Sequence, residues 1–295
     1  MRLELWRMGN MEGTCALYRT EGELRNSHIL PKFIIKHSKK TGSKYQRRVV
    51  EPNVRMQDGI KIPLLSPKGE QEFGKREKWF AENIFHPYLK SKYKLPYNEN
   101  LFYFAISLLW RTIHLELRMD KSLSEKWHYQ LLLDCEKEWR DFLSVSMFPR
   151  NHSSCYLWFT DRVEFHTTEL EGVDYYMTRI NDLTIISNPE KTYLAIYAKF
   201  NRFIFFSVLK SPGGEDNLTA LAINPIRGTY YIPQQFNYWA LSEFLTNRIH
   251  GISKHNLASE DQQEKIYEEI AKDPEAFWES DAGQSLYNDH FNLKK

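Results

Sequence analysis

The sequence predicts an α+β fold, because the spacing of its apolar residues changes twice along the chain. Residues 76–147 place apolar side chains three and four positions apart, as on one face of a helix. Residues 148–235 contain short runs of β-branched and aromatic residues between turn sequences, which is typical of antiparallel strands. Residues 236–290 return to helical spacing. We therefore predict a small N-terminal unit, central helices, an antiparallel β region and C-terminal helices.

The N-terminal unit is predicted from residues 11–75, where short apolar stretches alternate with Gly, Lys and Pro. We place a first domain at residues 11–92 and a second at residues 93–295. The second domain is expected to hold helices at about 99–147 and 236–290 and strands at about 155–235.

The predicted central helices follow from apolar spacing and from capping residues. The first covers 75–85, the second runs from a cap at Asn98 or Asn100 to Leu117, and the third begins at Ser122 or Ser124. The predicted strands are 156–159, 183–186, 193–197 and 203–209. Asn-Pro, Asn-Arg and Pro-Gly-Gly sequences separate these runs and are turn formers, so the strands are expected to be antiparallel.

Charge is balanced overall but uneven along the chain. The sequence has 40 Lys and Arg against 38 Asp and Glu, a net charge of +2, so composition alone does not indicate a nucleic-acid-binding protein. Residues 31–50 nevertheless carry seven positive charges and no acid. These are Lys32, Lys36, Lys39, Lys40, Lys44, Arg47 and Arg48. Such a segment would neutralise several phosphates of DNA or RNA. Two alternatives stay open: a solvated lysine face, or docking on residues 259–281, which hold nine acids and two lysines.

Composition excludes several classes of protein. The hydrophobic fraction of 42% is enough for a packed core, which excludes wholesale disorder. Three unclustered cysteines exclude a disulfide-framed secreted fold and favour the cytoplasm. The longest apolar run, residues 101–110, is about half the length of a bilayer span, and the start of the chain lacks the apolar region of a signal peptide. We therefore expect no membrane association. Sequence motifs of kinases, ATPases, dehydrogenases and serine hydrolases are absent.

Residues 15–77 carry the one motif that indicates chemistry. Cys15-Ala-Leu-Tyr18 is followed by Ser27-His-Ile-Leu-Pro31 and by Ser66-Pro-Lys-Gly69-Glu70. The pattern resembles that of bacterial proteins related to HNH endonucleases. In those, a Cys-x-x-Cys knuckle precedes a Ser-His-Ile-Ile-Pro strand, and a second Cys-x-x-Cys-Glu opens a helix. The resemblance covers about residues 15–80, and Ser-Leu-Leu-Trp-Arg at 107–111 extends it.

The resemblance implies a ββα-metal unit that cleaves phosphodiester bonds. His28 would end a strand and act as the general base, and a divalent ion, Mg²⁺ or Mn²⁺, would stabilise the leaving oxygen. Glu70 and Glu77 are two helical turns apart and are the candidate acidic residues. Each candidate has an alternative. His28 could cap a turn or pack beneath the turn at Pro31. Glu70 could stabilise the helix through a favourable interaction with the helix dipole, and Glu77 could pair with a basic residue. Family members resemble effectors of bacterial or mobile-element conflict, including phage defence.

The zinc knuckles of the family are degenerate in this chain. Only Cys15 remains, and Tyr18, Ser66 and Gly69 stand at the other three cysteine positions. One thiolate with these residues does not make a tetrahedral zinc site, so we expect no structural zinc. Cys15 is then a small buried apolar residue. The unit must be held by packing, for example by Tyr18, Ile29, Phe33 and Leu65.

Two functions are open at this point. The first is an HNH-like protein that binds nucleic acid and cleaves it. The second is a catalytically inactive scaffold that acts as a protein-interaction or regulatory module, with its basic arm on an acidic partner. Ser27 favours the second function, because an active centre usually has Asp or His beside the base and serine is a poor Mg²⁺ ligand. The His-Ile-Leu-Pro sequence and the basic segment favour the first.

Overall fold

The computed structural model describes residues 11–42, 46–47, 53–166, 169–254 and 259–292. Helices and antiparallel sheets together make an α+β fold, as the sequence predicts. Within the described residues, none of the helices combines the length and the apolar character needed to span a bilayer.

Most of the described chain lies in regular structure. The strands are β1 Met11–Thr14, β2 Glu21–His28, β3 Gln46–Arg47, β4 Arg55–Met56, β5 Lys61–Leu65, β6 Lys94–Asn98, β7 Tyr156–Phe159, β8 Asp182–Ser187, β9 Leu194–Phe200, β10 Phe203–Lys210 and β11 Arg227–Tyr231. The α-helices are α1 Lys32–Lys40, α2 Pro67–Phe80, α3 His86–Leu89, α4 Glu99–Met119, α5 Tyr129–Val145, α6 Val173–Arg179, α7 Trp239–Ser253, α8 Glu260–Ala271, α9 Pro274–Glu279 and α10 Asp281–Tyr287.

Among the described residues, the strands form four antiparallel sheets. The N-terminal sheet has the order β1-β2-β5, and the largest sheet has the order β7-β10-β9-β8. β6 pairs with β11, and β3 pairs with β4. All four strands predicted between residues 156 and 209 are present. The Asn-Pro and Asn-Arg turns join β8 to β9 and β9 to β10, which are neighbours in the sheet, whereas β7 pairs with β10 and is separated from β8 by α6. The β6–β11 pair was not predicted from sequence.

The central helices begin where side chains can cap them. The Asn98 side chain accepts a hydrogen bond from the backbone N–H of Asn100 at the start of α4, as predicted. α2 begins at Pro67, earlier than predicted, because Ser66 caps it. A 3₁₀ helix, Leu123–Glu125, follows Ser122, where the sequence predicts the third helix to begin, but the α-helix α5 begins only at Tyr129.

The larger apolar core packs α4 between the N-terminal unit and one face of the four-stranded sheet. Phe80 of α2 stacks on Phe104 of α4 with ring centroids 4.1 Å apart. Along β10, Phe203 and Phe205 face this core, while Ile204 faces a second core under α6 and α7. Both faces of β10 are therefore buried, which explains its unbroken apolar sequence. The larger core contains residues from both sides of residue 92, and the domain boundary there stays a prediction.

Candidate functional site

The N-terminal unit contains two antiparallel strands followed by a helix. β2 ends at His28, which stands opposite Lys61 at the start of β5, and α2 follows β5 directly. Helix α1 lies between the two strands in sequence. This order and pairing place the His28 end of β2 beside the start of β5. It is the arrangement that a ββα unit requires, and its relation to HNH endonucleases stays a prediction.

The four positions that correspond to zinc cysteines come together in space. The Cys15 Sγ atom accepts a hydrogen bond from the Ser66 backbone N–H at 3.2 Å, and the Lys68 Nζ atom lies 4.5 Å from the centre of the Tyr18 ring. Cys15 is fully buried. Burial raises the pKa of its thiol, but hydrogen bonds with Ser66 and nearby backbone groups outweigh burial and leave the pKa lowered. A Cβ atom on Gly69 would lie 3.6 Å from the Leu17 Cδ2 atom, so the segment that contains Cys15 and Tyr18 packs closely on the segment that contains Ser66 and Gly69.

Apolar packing holds this unit, as expected from the sequence. Ile29 and Leu65 are buried, and Tyr18 and Phe33 pack against the same core. The Phe33 and Phe85 rings meet edge to face with centroids 5.1 Å apart, which ties α1 to the segment after α2.

His28 is largely buried, with 19% of its side chain exposed. Its Nε2 atom is buried without a hydrogen-bond partner and lies 3.9 Å from the Asp58 Oδ1 atom. Burial and the nearby charges of Lys61 and Lys32 lower the pKa of His28, while Asp58 and Glu70 oppose that effect. The imidazole is therefore mainly neutral at pH 7. A neutral imidazole can accept a proton, as a general base must.

Asp58 is the acidic neighbour of His28 that sequence reasoning missed. Its carboxylate makes an ion pair with Lys61, and that hydrogen bond lowers the pKa of Asp58, so the carboxylate is ionised at pH 7. Asp58 and Gly59 form a bend before β5, with Gly59 at φ +74°. The only sequence signal was this Asp-Gly turn ahead of a short apolar run. Its position beside His28 depends on the pairing of β2 with β5.

Glu77 makes an ion pair with Arg111 of α4. The Glu77 Oε1 atom lies 2.8 Å from the Arg111 Nη1 atom, which also donates to the His28 backbone carbonyl at 2.9 Å. The ion-pair alternative for Glu77 is thus present in the structure. Glu70 lies in the first turn of α2, and its charge raises the pKa of His28. The structure brings Glu70, Glu77 and His28 to one end of the N-terminal unit.

The basic segment begins as helix α1. Ile34, Ile35 and Ser38 are its buried residues. Lys32, Lys36 and Lys40 are exposed one turn apart, and no described acidic residue makes an ion pair with them. Lys39 differs, because its Nζ atom donates to the Gln57 backbone carbonyl. Lys44, Arg48 and the side chain of Arg47 lie outside the described residues. We call Lys32, Lys36 and Lys40 the lysine row.

The acidic segment 259–281 is attached at both ends to residues near the basic segment. The Ser259 backbone N–H donates to the Asn53 side chain at 2.8 Å, and the Ala282 backbone N–H donates to the Thr41 carbonyl at 3.1 Å. The Asp281 carboxylate lies 3.9 Å from the His37 Nε2 atom. Helices α8 and α9 between these contacts bury none of their described residues. No described acid of the segment makes an ion pair with the lysine row, so these lysines stay accessible.

Metal ligands are sparse at the site. Among the described residues, no three His, Cys, Asp or Glu side chains are grouped closely enough to hold one metal ion. His28 and Asp58 are a pair of donors with an unpartnered imidazole nitrogen, and the charge of Glu70 acts on the same imidazole. Mg²⁺ and Mn²⁺ often keep several waters and bind proteins through one or two carboxylates, which is the number of carboxylates present here.

The chain was compared with protein-family models, curated proteins and solved structures, and none of the three comparisons gives a match.

Proposed function

We propose that this chain is an HNH-like protein that binds nucleic acid through the lysine row and cleaves its phosphodiester backbone at His28. One observation supports the proposal most strongly. A neutral imidazole lies at a strand end, 3.9 Å from an ionised carboxylate and close to an exposed row of lysines. Hydrolysis of a phosphodiester needs these three elements: a base, a site for a cation and a surface for the polyanion.

The residues of the site divide the work of such a reaction. His28 removes a proton from the attacking water, since its lowered pKa leaves the ring unprotonated at neutral pH. Asp58 and Glu70 would hold Mg²⁺ or Mn²⁺, which when bound supplies positive charge at the leaving oxygen. Lys61 keeps Asp58 ionised. Asp58 would supply the acidic group that is usual beside the base and that Ser27 lacks.

Phosphate binding is assigned to the face of α1 that points away from the core. Lys32, Lys36 and Lys40 present free ammonium groups along about two turns of helix. Lys44, Arg47 and Arg48 continue the basic sequence. DNA and RNA are both ligands of suitable charge, and the cytoplasm of a bacterial cell under phage attack is the proposed setting.

The second candidate function is a binding module without catalysis. Two observations favour it. Glu77, one of the three predicted catalytic residues, is already paired with Arg111, and the Nε2 atom of His28 is buried. In that case the lysine row binds nucleic acid or an acidic protein partner, and no bond is broken.

A nicking assay decides between the two. Supercoiled plasmid, single-stranded DNA and RNA are each incubated with the full chain and Mg²⁺ or Mn²⁺. We expect cleavage that His28→Ala and Asp58→Asn abolish and that the control His86→Ala, an exposed histidine at the start of α3, leaves unchanged. Each variant is also tested for nucleic-acid binding by gel shift. Binding without cleavage under every condition would establish the second candidate, and cleavage that survives in His28→Ala would contradict the assigned base.

A further inference from the structure

Arg111 contacts both the end of β2, which carries His28, and helix α2, which carries Glu77, through one guanidinium group. Its Nη1 atom donates to the backbone carbonyl of His28 at 2.9 Å and to the Glu77 Oε1 atom at 2.8 Å. Its Nε atom donates to the Ser107 carbonyl at 3.2 Å, within its own helix α4. One side chain on α4 therefore links the end of β2 to α2.

The burial of Arg111 is difficult to explain by stability alone. Only 3% of its side chain is exposed, and its Nη2 atom is buried without a hydrogen-bond partner. Removing a guanidinium from water is costly, and an unsatisfied donor adds to that cost. A well-packed apolar residue is often as stabilising at such a position. The Phe73 ring, 5.3 Å from the guanidinium carbon, already provides an apolar neighbour.

The geometry supplies what an apolar residue cannot. A methionine at position 111 would fill the volume but would leave the His28 carbonyl and the Glu77 carboxylate without their shared donor. The two hydrogens on the Nη1 atom lie in the plane of the guanidinium group and fix both acceptors at set directions. The strand end that carries His28 is thereby held relative to α2, which carries Glu70 and Glu77.

We propose that Arg111 is the positioning residue of this site, which sets the location of the His28 ring by holding the end of β2 against Glu77. The inference rests on the proposed function, because it is His28 that Arg111 positions for work on a phosphodiester. It assigns Glu77 as the partner of Arg111, while Asp58 and Glu70 remain the carboxylates for the metal ion.

The test measures the titration of His28 itself. The imidazole of His28 is followed by NMR from pH 4 to 9, with its signal assigned by comparison with His28→Gln. Besides Arg111 and its partner Glu77, the charged groups that act on the ring are Lys61, Asp58, Lys32 and Glu70, and the variants retain all four. Arg111→Lys keeps the positive charge, so a shift that it shares with Arg111→Met reports movement of the ring and not loss of charge. In Arg111→Met we expect the pKa of His28 to shift upward toward the value of a solvated histidine, because release of the strand end exposes the ring.

Matched variants separate positioning from folding. Arg140→Met is the control, because the Arg140 Nη1 atom also lies 2.8 Å from a buried glutamate, Glu136, which precedes it by four residues in α5. It should leave the pKa of His28 unchanged. Arg111→Lys keeps the charge with fewer donors and should give a smaller upward shift in the pKa of His28. If circular dichroism shows that Arg111→Met does not fold, the test is made with Arg111→Lys. An unchanged pKa of His28 in a folded Arg111 variant would overturn the proposal.

A second readout tests the link to cleavage. At saturating DNA, Arg111→Met should lower the nicking rate by about 100-fold, as expected for a displaced reacting group, and should leave the gel-shift affinity unchanged. An unaltered nicking rate would also overturn the positioning role. The NMR titration does not require cleavage, so it reports on Arg111 even if the chain proves to be a binding module only.

Discussion

The lysine row allows a quantitative test of nucleic-acid binding. The perturbation is the triple variant Lys32→Ala, Lys36→Ala and Lys40→Ala. Each of these side chains is exposed, and each lies one turn from the next, about 6 Å along the axis of α1. That rise is close to the spacing of two nucleotides along one strand of a duplex, so all three can contact phosphates of one backbone.

The magnitude follows from counterion release. Each phosphate that a protein neutralises on duplex DNA contributes about 0.9 to the slope of log affinity against log salt. Losing three contacts should therefore reduce the slope by about 2.7. Between 50 and 200 mM salt, the native chain should lose about 40-fold more affinity than the triple variant. Fluorescence anisotropy with a labelled duplex at four salt concentrations measures both slopes.

A control triple variant has the same change of net charge. Lys78, Lys126 and Lys137 each already pair with a neighbouring carboxylate. Replacing these three by alanine should leave the slope nearly unchanged, because their charges are already compensated locally. Equal slopes for the native chain and the lysine-row variant would refute a role for α1 in phosphate binding. If the salt slope falls equally in both triple variants, the change of net charge alone explains the effect.

Two further predictions concern stability and the degenerate knuckles. Burial lowers the pKa of Lys199 to about 7, below its unfolded value of 10.5. Between these values the unfolded chain binds the extra proton, so the free-energy cost of burying this lysine decreases as pH rises through that window. Urea unfolding at pH 7, 8 and 9 should show the native chain gaining stability relative to Lys199→Met, and a constant difference would contradict the lowered pKa of Lys199. The triple substitution Tyr18→Cys, Ser66→Cys and Gly69→Cys should create a site with Cys15 that binds about one zinc per chain, measured by elemental analysis; no bound zinc would argue against the knuckle assignment.

Local signals explain why much of the fold could be predicted from sequence. The four strands between residues 156 and 209 are dense in β-branched and aromatic residues, and turn formers separate them. The β6–β11 pair lacks such a signal. Its strands are short, lie far apart in the chain, and one contains Pro96 opposite Thr229. The third helix was predicted as one element, but the structure has a 3₁₀ helix at Leu123–Glu125 and a separate α-helix from Tyr129.

The site was only partly predictable, because its partners meet through tertiary contacts. His28 was identified by its motif, but Asp58 reaches it only through the β2–β5 register. Arg111 belongs to a sequence element that was noted, yet it lies 83 positions from the carbonyl that it contacts. No periodicity links positions so far apart. Glu77 was predicted with two alternative roles, and only the structure identifies its cationic partner.

The attachment of the acidic segment at Asn53 and Thr41 affects how shortened chains should be designed. A deletion after residue 258 would remove both contacts together with ten acids and four lysines, so the formal charge would rise from +2 to +8. Such a fragment would adhere to any polyanion, heparin included, through charge alone. Affinities measured on it would overstate selectivity for nucleic acid, and purification on cation-exchange resin would shift to higher salt.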